Sequence, residues 1–203
     1  MCESIGVTNQ GLCRADFLKR VEEFAACRPA GIILREKNLD ACAYKELAKA
    51  VMEVCEGYEV PCILHTFVSV ALELGAENIH LPLPVLRELD EGTKSQFKNI
   101  GASCHSVEEA MEAERLGCIY IIAGHIFATD CKRGLPPRGT EFLRQVCQCV
   151  TIPVYGIGGI RADNVHEVME AGARGACVMS GWMQCENVAE YVGGIADKDW
   201  RKP

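Results

Sequence analysis

The stretch Gly124-His125-Ile126-Phe127-Ala128-Thr129-Asp130-Cys131-Lys132-Arg133-Gly134 puts an imidazole, a hydroxyl, a carboxylate, a thiol and an ammonium into one short loop directly after the apolar run 118–123. His125 has an unperturbed pKa near neutrality, so it suits taking and returning a proton, and a place directly after a strand end faces it toward a cleft. Lys132 offers a point charge to a phosphate or carboxylate. Cys131 beside Lys132 reads either as an activated thiol or as a bystander. Further back, Arg35-Glu36-Lys37 follows Ile32-Ile33-Leu34 at once, and Arg35 carries a bidentate fork for an oxyanion. Downstream, Ile157-Gly158-Gly159 and Met179-Ser180-Gly181 end apolar runs with small residues, where backbone N–H groups approach a phosphate closely. Gly158, Gly159, Ser180 and Gly181 are therefore the candidate phosphate ligands, although a Gly-Gly pair also serves as a plain tight turn.

These residues need a scaffold that brings strand ends together. The chain alternates short apolar runs with amphipathic ones: 5–7 then a helix over 15–27, 31–34 then 41–55, 62–64 then 68–74, and 79–81 then 85–89. The pattern continues with 100–102 then 107–116, 120–122 then 140–149, 154–157 then 164–171, and 176–179 then 188–195. Ser106-Val107-Glu108-Glu109 reads as a capping box, and Gly75, Gly117 and Gly172 each close a helical pattern. Eight such units predict an α/β fold, a single-domain (β/α)8 TIM barrel over 1–203 with short loops. An open doubly wound sheet fits less well, because its Gly-rich loop belongs after the first strand, where Thr8-Asn9-Gln10-Gly11 stands instead.

Barrel enzymes carry their chemistry at the C-terminal ends of the strands. That places Arg35 and Lys37, His65, His80, Ser103, His105 and the loop from His125 through Thr129 to Lys132 around one mouth. His65, His80 and His105 each read equally as ligand-orienting groups or as histidines satisfied within the fold, and His166 lies on a helical surface. No HxH or HxxxH spacing relates the candidate histidines, so no metal site and no cofactor are expected.

Composition narrows the rest. With 203 residues, 49% hydrophobic and 24% charged, the chain is ordinary for a globular domain. A net charge of −7 and no basic run beyond Lys132-Arg133 argue against nucleic acid. No window reaches the ~18 apolar residues of a membrane span, and the start lacks a secretion signal, so a cytoplasmic protein without membrane partners is expected. The 13 cysteines are an odd count, several within apolar runs, and read as reduced core-filling thiols. Cys147-Gln148-Cys149 lacks the spacing of a zinc pair. Barrels of this size often pair, which leaves a homodimer open.

At these motifs, from Leu34-Arg35-Glu36-Lys37 through Ile79-His80-Leu81 and Ser103-Cys104-His105-Ser106 to Val178-Met179-Ser180-Gly181, the chain resembles the thiamine phosphate synthase/TenI superfamily nearly end to end. Within it, Gly-His-x-Phe-x-Thr-Asp-Cys-Lys-x-Gly looks like the loop of the TenI thiazole tautomerases. That resemblance implies an isomerase, a cofactor-independent thiazole tautomerase aromatising carboxythiazole phosphate in thiamine biosynthesis, with His125 as the catalytic acid/base. It further implies substrate contacts from Arg35, Lys37, His65, Ser103, Thr129 and Lys132, and a small phosphorylated thiazole as partner. Two alternatives stand beside it: a Mg-dependent thiamine phosphate synthase joining hydroxymethylpyrimidine pyrophosphate to thiazole phosphate, and a non-catalytic regulatory protein that binds thiazole or thiamine phosphate. Synthases in this superfamily hold Mg²⁺ with an Asn-Asp pair after strand three and an Asp after strand four. Here His65-Thr66 and Leu81-Pro82-Leu83-Pro84 occupy those places.

Overall fold

The predicted alternation closes on itself. In a computed structural model describing residues 2–196, eight parallel strands pair in chain order and the eighth returns to the first, giving a closed barrel. The strands are β1 (Glu3–Val7), β2 (Gly31–Leu34), β3 (Cys62–His65), β4 (Asn78–Pro82), β5 (Asn99–Cys104), β6 (Tyr120–Gly124), β7 (Val154–Ile157) and β8 (Gly175–Val178). Around them lie α1 (Phe17–Ala25), α2 (Ala41–Gly57), α3 (Val68–Glu73), α4 (Leu83–Glu88), α5 (Glu91–Lys94), α6 (Val107–Arg115), α7 (Gly139–Cys149), α8 (Val165–Glu170), α9 (Ser180–Gln184) and α10 (Val188–Ala196). Among the described residues no helix is long and apolar enough to cross a membrane.

Each strand is buried on both faces, as a parallel sheet wrapped in helices requires. Outward residues such as Ile32, Leu34, Leu64, Ile79, Leu81, Ile121 and Val178 join the apolar layer beneath the helices. Their inward neighbours form a separate cluster of Ile5, Val7, Ile33, Ile63, Tyr120, Ile122, Tyr155 and Cys177 that fills the barrel. On β4 and β5 the inward positions carry His80, Gly101 and Ser103 instead, so one wall of the barrel core is polar. Gly101 has no room for a side chain, since a Cβ there would run into the ring of Tyr120.

Local chemistry sets the helix ends. Asp16, Asp40, Asp90 and Ser106 accept from the N–H groups of Lys19, Ala43, Thr93 and Glu109 respectively, each satisfying a first-turn donor. The Ser106 box is modified: the Glu109 carboxylate reaches back to the His105 N–H at 2.5 Å, one residue before the cap. Gly75, Gly117 and Gly172 take positive φ of 64°, 92° and 98° at helix ends, as their positions predict. The connection after β4 departs from the single helix 85–89: α4 starts directly at Leu83 with a proline in its first turn, and a second short helix, α5, follows behind the Asp90 cap. Proline is tolerated there because a first-turn N–H has no partner in the helix. The eighth unit likewise has two helices.

The seam between β1 and β8 is tied at both ends. Below, Glu3 accepts from Arg174 Nε at 2.7 Å and from the Tyr155 hydroxyl at 2.6 Å. Above, the indole N–H of fully buried Trp182 on α9 donates to the Val7 carbonyl at 3.0 Å, its ring 4.5 Å from that of Phe24.

Candidate active site

The strand ends converge at one mouth, and β2 delivers its charges first. Arg35, Glu36 and Lys37 come straight off Leu34, but their fates differ. Glu36 is buried: one carboxylate oxygen accepts from the Thr8 hydroxyl at 2.6 Å and the other from the Gln10 N–H at 2.9 Å. The Thr8 hydroxyl oxygen in turn accepts from the Arg35 N–H at 2.9 Å. Glu36 and Thr8 thus brace the loops after β1 and β2; from sequence Glu36 stood only within the charged run Arg35-Glu36-Lys37 and Thr8 was not selected.

Arg35 is half-buried, and burial lowers its pKa against the opposing pull of Glu36 and Cys131. Lys37 is depressed first by Arg35, then by burial and by Lys132. Lys37 thus feels both other cations, and none of Arg35, Lys37 and Lys132 has an ion-pair partner within 4 Å among the described residues. Like charges held together unpaired are stabilised by a multivalent anion.

Behind these cations lie two neutral imidazoles. His65 is buried and pushed down to about 3, by burial first and then by Arg35 and Lys37. His80 is pushed well below the ordinary histidine value by burial, then by His65 and Arg35. Their rings are 5.8 Å apart at 22°. His65 Nδ1 pairs with the Thr66 hydroxyl at 2.6 Å, and Thr66 holds φ +67°, a strained conformation for a β-branched residue and common at functional sites. His80 Nε2 pairs with Ser103 Oγ at 2.8 Å, and its Nδ1 with the Tyr120 hydroxyl at 3.1 Å. The third strand-end histidine, His105, is exposed and donates from Nδ1 to the Gly124 carbonyl at 2.9 Å, bracing the end of β6.

His125 is buried below the β6 loop, with Nε2 3.4 Å from the Leu135 carbonyl. The loop is zipped to the one after β7: the Ile126 N–H donates to the Ile157 carbonyl at 2.8 Å and the Phe127 N–H to the Gly158 carbonyl at 3.0 Å. Gly158 and Gly159 (φ +100° and +67°) are required by this approach, because a Cβ on the first would strike His125 and on the second would strike Phe127 and Ala128. Asn164, which sequence reasoning did not select, folds the same loop by accepting from the Arg161 N–H at 2.8 Å and donating to the Gly159 carbonyl at 3.0 Å. Thr129 is half-buried, and its carbonyl accepts from the Lys132 N–H at 3.0 Å in a 3-10 turn that leaves Cys131 and Lys132 exposed. Ser180 and Gly181 are half-buried at the start of α9, where the absence of a Cβ on Gly181 makes room for the Tyr191 hydroxyl.

The donor set does not fit a protein-held Mg²⁺. Such an ion prefers carboxylate and water oxygens. The positions after β3 and β4 carry His65-Thr66 and Pro82-Leu83, and both oxygens of Glu36 are already engaged. Among the described residues no group of three or more His, Cys, Asp or Glu is arranged to hold a metal.

Fold and mouth together define a closed (β/α)8 barrel with uncompensated cations and glycine-rich final loops at its C-terminal rim. The profile of the thiamine monophosphate synthase family matches residues 5–182, and the chain belongs to that family. It is 36% identical over 179 residues to thiamine-phosphate synthase 2 of Streptococcus pneumoniae, covering 85% of this chain and 82% of that one. It is 34% identical over 187 residues to the thiamine-phosphate synthase of Clostridium acetobutylicum, covering 90% and 87%. The solved thiamine phosphate pyrophosphorylase of Pyrococcus furiosus superposes with a TM-score of 0.80 at 31% identity, covering 95% of this chain and 93% of that one.

These relatives overturn the expectation of an isomerase. The thiazole tautomerase reading rested on the single loop 124–134, whereas likeness to proteins named as synthases extends over most of the chain.

Proposed function

We propose that the chain is a transferase of the thiamine-phosphate synthase type, moving a pyrimidine-methyl group from its diphosphate onto a thiazole phosphate and releasing pyrophosphate. The observation that carries this reading is the set of Arg35, Lys37 and Lys132, cations without ion-pair partners among the described residues of which Lys37 is depressed by the other two, in a chain related over most of its length to synthases. A diphosphate relieves their repulsion, and they stabilise the negative charge that grows on it as the carbon–oxygen bond breaks. Arg35 supplies a bidentate fork and the two lysines mobile point charges. The glycine-rich ends after β7 and β8 receive the monophosphate of the thiazole, and Ser103, Thr129 and neutral His65 supply polar contacts between the two anions.

His125 shapes the floor of the β6 loop in this scheme and no proton is routed through it. Mg²⁺ that travels with a diphosphate belongs to the substrate here, since the described residues offer no carboxylate set for it. The same lack of carboxylates favours a second reading, a barrel that binds the phosphorylated thiazole without turnover. Supplying both substrates with Mg²⁺ and measuring pyrophosphate release separates the two: the transferase reading expects thiamine phosphate to accumulate, and tight binding of thiazole phosphate without product supports the second reading.

A further inference from the structure

The polar wall inside the barrel contains two groups, Tyr120 and His80, that the proposed chemistry leaves without a role. Tyr120 on β6 is buried, and its hydroxyl has one hydrogen-bond partner among the described residues, His80 Nδ1 at 3.1 Å. His80 Nε2 has one as well, Ser103 Oγ at 2.8 Å. Strand register brings the three together: His80 lies opposite Gly101 and Gly101 opposite Tyr120, so the glycine leaves the space that the phenol ring crosses. Ser103 lies two residues beyond Gly101 on the same inward face, half-buried at the mouth.

The direction of each hydrogen bond follows from counting protons. A neutral imidazole has one N–H and one bare nitrogen. Were Nδ1 the protonated atom, it would donate to the phenol oxygen and leave the Tyr120 proton without an acceptor in a place closed to water. With Tyr120 donating to bare Nδ1, every group is satisfied: Nε2 carries the proton and donates to Ser103 Oγ. The serine then receives a hydrogen bond from below, and its own O–H is free to donate into the mouth. Burial holds the phenol protonated and the imidazole neutral, which keeps the relay in this state at neutral pH.

We propose that Tyr120 is a positioning residue that fixes His80 as its Nε2–H tautomer and thereby makes Ser103 a hydrogen-bond donor to an anionic oxygen of the bound phosphorylated substrate. The identity of that ligand rests on the function proposed above, whereas the tautomer does not. Nitrogen-15 NMR on the histidine-labelled full chain at neutral pH reads the tautomer without any substrate or turnover. His80 is expected to show a protonated Nε2 in the wild type and in Ser103→Ala, because Tyr120 sets the state. In Tyr120→Phe the bare Nδ1 loses its only donor, so its nitrogen-15 resonance is expected to move toward that of an unbonded imidazole nitrogen. An Nδ1–H wild type, or an Nδ1 resonance unchanged in Tyr120→Phe, overturns the proposal. Should Tyr120→Phe fail to fold, Ser103→Ala still decides it: loss of the Nε2–H form there assigns the control to Ser103 and overturns the role of Tyr120. Calorimetry with inorganic pyrophosphate tests the consequence, with an expected loss of about tenfold in affinity for Ser103→Ala, the size of one charge-assisted hydrogen bond. Unchanged affinity overturns the donor role of Ser103.

Discussion

Lowering the pH from 7.5 to 5 should destabilise this barrel far more steeply than its surface charges account for, because His65 and His80 are folded away as neutral rings. Both have depressed values in the native state. Above a pH of about 6.5 neither form of the chain protonates them, and their contribution to stability is intact. As the pH falls through that value the unfolded chain takes up protons that the folded chain refuses, so stability is lost on the acid side. For His65, held at about 3, the loss grows by up to about 1.4 kcal/mol per pH unit and amounts to about 2 kcal/mol at pH 5. His80 adds to it in the same direction. Against a typical total of about 5–15 kcal/mol this is a large fraction. Carboxylates such as Asp90, Glu112 and Glu114 are depressed as well, but theirs is stability lost only as the pH falls through the carboxylate range, below this window. Urea unfolding at a series of pH values from 7.5 to 5 measures the slope, and His65→Asn isolates one proton of it. The variant is expected to lose about 2 kcal/mol less than the wild type across the interval. Stability that stays flat to pH 5, or a slope unchanged in His65→Asn, refutes the assignment of these rings as neutral.

Two further outcomes follow from the geometry. Gly101→Ala forces a methyl into the ring of Tyr120 and is expected to cost about 1–3 kcal/mol by overpacking, read as a lowered thermal midpoint, whereas a midpoint equal to wild type would mean that the ring moves freely. Inorganic pyrophosphate is expected to bind in excess EDTA, because the cations and not a protein-held ion receive it, and Arg35→Gln should weaken it by tenfold or more; binding seen by calorimetry only when Mg²⁺ is present contradicts this.

The barrel was legible because each unit announces itself: an apolar run too short for a helix, an amphipathic stretch, and a glycine or cap between them. The place of Arg35 and Lys37 beyond the end of β2 was legible as well, since charges directly after a buried strand have only the mouth to enter. Parity inside the barrel was not. A strand buried on both faces has no alternation of polarity, so nothing in Tyr120-Ile121-Ile122 tells which residue points inward. Tyr120 consequently read as ordinary strand filling, and His80 as one histidine among several. The bracing role of Glu36 was hidden for another reason: its partners Thr8 and Gln10 come from the neighbouring unit, and only their approach shows a buried carboxylate. The isomerase expectation failed because a motif in one loop outweighed the rest of the chain.

The seam between the first and last strands has a consequence for how the protein is made. Glu3 and Arg174 are 171 residues apart, and Val7 meets Trp182 across 175. During translation the N-terminal strand therefore leaves the ribosome long before the segment that covers its open side exists. Throughout elongation the growing sheet has a bare ribbon at its leading margin, the kind of template to which stray chains add. Glu3 sets a charge on that margin, and Arg174, which pairs with it in the finished ring, is made only just before the last strand.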